Sequence, residues 1–92
     1  MNQAILFSDN ETYNSDLQQV EFQAQCQGAL ITCIISVNEL YKLNEQQTPV
    51  QIDNNEALTL FESARFDIED LAEEMIENQS FNSDGKVYLK ST

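Results

Sequence analysis

Glu69, Glu73 and Glu77 stand four residues apart, and Asp70 and Glu74 form a second row beside them. On a helix this spacing places each row along one side. Such rows could hold a hard cation through oxygen ligands, or they could form a solvated outer face. Like charges at this spacing cost a few tenths of a kcal/mol each (~0.2–0.5), so the helix tolerates the face rather than gaining from it. That leaves room for an electrostatic partner. Arg65 is the only arginine, and Glu62 and Glu69 lie three residues before it and four after it. A surface ion pair is the plain reading, and an anion-binding arginine is the functional one.

Histidine is absent. This removes the commonest general base and the commonest neutral metal ligand. Ser/His/Asp and Cys/His nucleophilic sites are excluded with it, and two cysteines alone fall short of a zinc site. Gly28 and Gly85 are the only glycines, so no glycine-rich phosphate loop can be assembled. Asn82-Ser83-Asp84-Gly85 resembles a fragment of a calcium loop, but the loop's first and last positions would be Ser80 and Ser91, where carboxylates are required. The residues point to no catalytic group, no metal and no cofactor.

The 92 residues carry four Lys and Arg against sixteen Asp and Glu, a net charge of −12. Lys42, Arg65, Lys86 and Lys90 are far apart, so the clustered cations that nucleic-acid backbones require are missing. An anionic membrane surface would repel the chain, and a basic protein would attract it. Met1–Phe7 lacks the basic start of a secretory signal, and the apolar run Ala29 to Val37 is shorter than the ~20 residues of a membrane span. A cytoplasmic location with reduced thiols is expected. The length suits a single domain over residues 1–92.

Several elements must position these side chains. Ala4 to Phe7 reads as a short strand, and Asp9 to Asp16 as a polar loop anchored by Tyr13. Val20, Phe22, Ala24 and Cys26 alternate with polar residues, as in a half-buried strand. Gln27-Gly28 is a turn, and Ala29 to Ile35 returns with Ala29, Ile31, Cys33 and Ile35 inward. This register sets Cys33 opposite Phe22 and Cys26 opposite Ala29. The thiols are then roughly 13 Å apart along the sheet, beyond disulfide reach. Leu30 and Ile34 fall on the other face, which is too apolar to be solvated and needs cover, with a homodimer as one solution.

Ser36-Val37-Asn38-Glu39 and Asp53-Asn54-Asn55-Glu56 have the form of capping boxes. The first opens a short helix to about Asn44, followed by a loop containing Pro49. The second opens one long helix to Asn78. Its apolar stripe is Ala57, Phe61, Ala64, Ile68, Leu71 and Met75, and Phe66-Asp67 is the expected site of any kink. Phe81 is expected to tuck into the core, Asp84-Gly85 to turn, and Lys86 to Leu89 to form a last strand. The fold expected is α+β: a small antiparallel sheet, in the order β-β-β-α-α-β, packed against one short and one long helix.

Four segments, in order, resemble a known family. They are Val20-x-Phe22-x-Ala24, Gly28-x-x-Ile31-x-Cys33-x-Ile35-Ser36, Arg65-Phe66-Asp67-Ile68-Glu69 and Phe81-x-x-Asp84-Gly85-x-Val87-x-Leu89. The chain is similar over Met1 to Leu89 to domain-of-unknown-function family fourteen-eighty-eight, short uncharacterised proteins of proteobacteria. The resemblance implies a small cytoplasmic α+β domain and carries no activity with it.

The resulting expectation is a small acidic, non-catalytic interaction or regulatory protein. It would meet an unknown protein partner, a basic one by its charge, rather than nucleic acid or membrane. Its candidate partner-binding residues are Arg65, Glu69, Asp70, Glu73, Glu74, Glu77, Leu30 and Ile34. The alternatives are a small ligand-binding domain or enzyme using carboxylates with Tyr13, Tyr41 or Tyr88, and an acidic mimic of nucleic acid.

Overall fold

The computed structural model describes residues 5–44 and 52–90. The expected loop around Pro49 lies outside them. The centre of the fold is a hairpin of β3 (Gln19–Cys26) and β4 (Ala29–Ser36). Gln27 and Gly28 both have positive φ, 53° and 81°, as a two-residue hairpin turn of the right twist requires. Phe22 faces Cys33 and Cys26 faces Ala29, the register read from the turn. Neither cysteine is in a disulfide.

The segment between Asp9 and Asp16 is more ordered than a polar loop. Thr12–Asn14 forms β2, which pairs antiparallel with Gln19–Glu21. β1 (Ile5–Phe7) pairs antiparallel with Ala24–Cys26, so β1 and β2 share one edge of β3 end to end. β5 (Val87–Tyr88) lies on the opposite edge and runs parallel to β4. The sheet is therefore mixed rather than antiparallel. A parallel neighbour needs a long crossover, and the chain supplies one by placing all its helices between β4 and β5.

The helices are α1 (Val37–Leu43), α2 (Asn54–Ser63) and α3 (Arg65–Glu77). The N-cap bond of both expected capping boxes forms: the Glu39 N–H donates to Ser36 Oγ at 3.2 Å, and the Glu56 N–H to Asp53 Oδ1 at 2.8 Å. The long helix breaks at Ala64, two residues before the expected kink. Three donors gather on the Leu60 carbonyl at this break. Ala64 N–H reaches it at 3.2 Å, the Ser63 hydroxyl sits 2.9 Å away, and Asn44 Nδ2 donates from 3.4 Å. Asn44 is the C-cap of α1, so the end of one helix reaches the break in the other. Side chains inserted into the backbone ladder are a standard source of kinks.

Helices cover one face of the sheet only. Val20, Phe22, Ala24, Cys33, Ile35 and Val87 meet Leu40, Ala57, Phe61, Ile68, Ala72 and Ile76 in one core. The helical stripe continues through the break, with Leu71 and Met75 at its half-buried margin. Phe61 stacks edge-on against Phe22, with centroids 5.1 Å apart. Phe81 does not join them and is 41% exposed. It follows the left-handed residue Gln79 that ends α3, where Ser80 N–H bonds back to the Met75 carbonyl at 2.8 Å. This closure carries the chain outward.

Burial pushes the Cys33 thiol up from 9.0 to about 12. The unfolded chain therefore loses this proton first as the solution becomes alkaline. Cys33 favours the folded state below 9.0, and that contribution is lost as pH rises from 9.0 towards about 12. We expect urea midpoints to fall between about pH 8.5 and about pH 10.5, and to fall less steeply in Cys33→Ala. Parallel pH profiles for the two chains would contradict this.

Candidate functional site

Arg65 is the first residue of α3, next to the break. A cation there opposes the helix dipole and needs compensation. Four carboxylates provide it. NH2 lies 2.7 Å from Glu11 Oε2 and 2.7 Å from Glu62 Oε1, and Nε donates to the same Glu62 oxygen at 2.8 Å. NH1 lies 3.5 Å from Glu69 and 3.8 Å from Asp9. The guanidinium also rests over the Phe61 ring, 5.1 Å from its centroid. The Arg65 side chain is only 15% exposed.

The hydrogen bond from Arg65 holds the Glu62 carboxyl below its ordinary range, and that bond in turn strengthens the hold of Arg65 on its proton. Glu62 and Glu69 were legible at helical spacing. Asp9 and Glu11 come from the segment joining β1 to β2, and no local pattern announces them. An anion approaching Arg65 would meet four carboxylates first. The anion-binding reading of Arg65 therefore gives way to a structural one, in which the arginine ties the β1–β2 segment to the head of α3. Among the described residues Glu11 Oε1 is buried without a hydrogen-bond partner, so Glu11 depends on this one cation.

Beyond Arg65, α3 turns its carboxylates outward. Phe66, Asp70, Glu73 and Glu77 fall along one solvent-facing line, with Asp67 and Glu74 beside it. All six are exposed, and Phe66 is 82% exposed. Glu69 is drawn towards Arg65 and is half-buried.

The pair Leu30 and Ile34 does not form an exposed patch. Leu30 is 72% exposed, but Ile34 is 4% exposed, in a cross-strand row between Glu21 of β3 and Tyr88 of β5. The β5 strand is the cover that Ile34 requires. The Tyr88 hydroxyl donates to Asp84 Oδ2 at 2.8 Å, and Lys86 N–H donates to Asp84 Oδ1 at 2.9 Å. These bonds, the backbone one foremost, hold the Asp84 carboxyl below its ordinary range. Leu6, 63% exposed, is the actual companion of Leu30, across Gln25 on the uncovered face of the sheet.

Two open clefts adjoin at the head of α2. Tyr13, Ser15, Ile52 and Asn54 line one of about 540 Å³, and Tyr41, Asn55, Thr59 and Leu60 line one of about 330 Å³. Asp53 and Glu56 border both. Tyr41 is 5% exposed. Burial, and then the charges of Glu56 and Asp53, push its phenol above the ordinary range. Tyr13 and Tyr41 thus meet the same two carboxylates, whereas Tyr88 lies on the far side of the sheet.

A family model described as "Protein of unknown function (DUF1488)" matches residues 5–89. The "Uncharacterized protein YrdB" of Escherichia coli (strain K12) is 37% identical over 89 residues, 97% of this chain and 99% of that protein. The Shigella flexneri protein of the same name is 36% identical over the same shares. Among solved structures, a protein of unknown function from the DUF1488 family of Shewanella loihica PV-4, determined at 1.60 Å, superposes with a TM-score of 0.83. It is 40% identical, with 97% of this chain and 94% of that chain covered.

Removing the guanidinium should expose the dependence of Glu11. We expect Arg65→Met to cost about 2 kcal/mol in urea denaturation, because it leaves a largely buried carboxylate without its cation. Glu11→Gln in the same background should recover part of that loss. An Arg65→Met chain as stable as the parent would show that the cluster is not a structural tie.

Proposed function

We propose that this chain, which belongs to the DUF1488 family, is a non-catalytic interaction module that docks a basic protein partner on the outer face of α3. One observation carries the reading: Phe66 is 82% exposed at the head of a line of carboxylates. A large aromatic side chain in water is unfavourable on its own, and aromatic residues are enriched where proteins meet. Here the apolar anchor is rimmed by Asp67, Asp70, Glu73 and Glu77, and Arg65 is occupied internally. The face therefore offers a hydrophobic contact in a negative field. Its complement is a basic surface with an apolar socket. Two cysteines that are not joined by a disulfide fit a cytoplasmic setting. Among the described residues, no helix is long and apolar enough to cross a membrane.

A second reading has its own observation. Leu6 and Leu30 are exposed together on the uncovered sheet face, where Glu21 is the only charged residue among the described strand positions pointing outward. For a chain of charge −12, this is a surface on which two copies could meet with little repulsion.

The first reading is tested by capture from the native lysate with the tagged chain at low salt, compared with Phe66→Ser and with Glu73→Lys. The expected result is a basic protein released by a salt step and lost with both variants. Retention of that protein by both variants would remove α3 from consideration. The second reading expects light scattering to give twice the chain mass at micromolar concentration, and the chain mass for Leu30→Glu. A monomer throughout would end it.

A further inference from the structure

We infer that the Asp84–Gly85 turn before β5 is a modification site, where Asp84 isomerises spontaneously to isoaspartate and thereby releases β5 from the sheet. Ring closure to a succinimide needs a carboxyl group next to a main-chain N–H that no following side chain crowds. Asp84 is the only aspartate of the chain that precedes a glycine, and no asparagine precedes one. Both residues of the turn are exposed, and the space where a Gly85 side chain would stand is open. Gly85 has a φ of 83°, a conformation that glycine adopts without strain.

The step balances with water alone. The Gly85 nitrogen attacks Asp84 Cγ and a C–N bond forms. The carboxyl hydroxyl and the amide proton leave together as water. A second water then opens the ring at the Asp84 main-chain carbonyl. The chain now runs through Cγ, one atom longer, and the former main-chain carbonyl becomes a free carboxylate. The reactive form is the neutral carboxyl, because a carboxylate has no hydroxyl to lose. The fold opposes that form. Lys86 N–H and the Tyr88 hydroxyl donate to the two Asp84 oxygens at 2.9 and 2.8 Å, and both bonds favour the carboxylate. Gly85 N–H is held by the Asn82 carbonyl at 2.9 Å. Tyr88 is therefore a latch: isomerisation is slow while β5 is seated and proceeds when the turn loosens.

The seating of β5 depends on the same turn. The strand has two residues, and Leu89 N–H beyond it donates to the Ile34 carbonyl at 2.8 Å. An isoaspartate carboxylate stands one atom closer to the main chain, in a backbone one atom longer. It cannot keep both Asp84 bonds together with the turn's bond from Asn82 N–H to the Lys86 carbonyl, 2.9 Å. β5 then loses its hold, and Ile34, 4% exposed beside Tyr88, is uncovered. The inference rests on neither docking surface.

Ageing the full folded chain for weeks at neutral pH and physiological temperature tests the site. Its peptides are scored for isoaspartate by electron-transfer fragmentation, which marks a β-linkage by its own fragments. The expected result is isoaspartate at position 84 ahead of every other aspartate. Tyr88→Phe should form it about fivefold faster. The parent chain in urea should also form it faster than the folded parent, which keeps the latch testable if Tyr88→Phe misfolds. In the separated isoaspartyl form, the Leu89 amide should exchange with deuterium faster than in the parent. Isoaspartate spread evenly over the aspartates, a position 84 that stays unchanged in the folded parent, or equal rates in the parent, in Tyr88→Phe and in urea would overturn the assignment. Leu89 protection equal in both forms would overturn the release of β5.

Discussion

The two-residue turn at Gln27 and Gly28 holds the register on which the rest of the molecule depends. With positive φ at both positions, it sets Phe22 against Cys33 and Val20 against Ile35. A slip of one residue would carry every apolar side chain of β4 to the wrong face. In the observed register one face is continuous and apolar, and the other is mostly amide and hydroxyl. All three helices can then pack against a single side. The second face needs little cover, because its most apolar residue, Ile34, is closed off by β5.

Within this frame, one guanidinium organises the charge. Arg65 sits where the long helix breaks, beside the Leu60 carbonyl on which Asn44 and Ser63 converge. The geometry brings Arg65 between its own helix, α2 and the β1–β2 segment. The arginine thereby pairs with Glu11 through one carboxylate oxygen, and the outer carboxylates of α3 are left to the solvent. A strongly acidic helix face is the consequence of spending the only arginine inside.

The molecule accordingly presents three surfaces of different chemistry. The α3 face is acidic with an exposed phenylalanine. The open sheet face is nearly uncharged, with Leu6 and Leu30 exposed. The head of α2 combines carboxylates with tyrosines in a cleft. None offers an anion an unopposed cation.

The sequence by itself determined what local chemistry can determine. Alternation gave β3 and β4, the turn residues gave their register, and both N-cap bonds formed because a cap is a bond between residues three apart. The apolar stripe from Ala57 to Met75 was legible for the same reason of short range. Tertiary structure decided what depends on residues far apart in the chain. The parallel direction of β5 follows from the path of the helices between β4 and β5, and the side chain of Asn44 meets the break from the end of α1. The partners Asp9 and Glu11, the exposure of Phe81 and the burial of Ile34 follow from which segments pack together. The meeting of Tyr13 with Tyr41 at Asp53 and Glu56 is of this kind as well. Periodicity records which way a side chain points along its own element, and it holds no information about which distant element arrives to meet it.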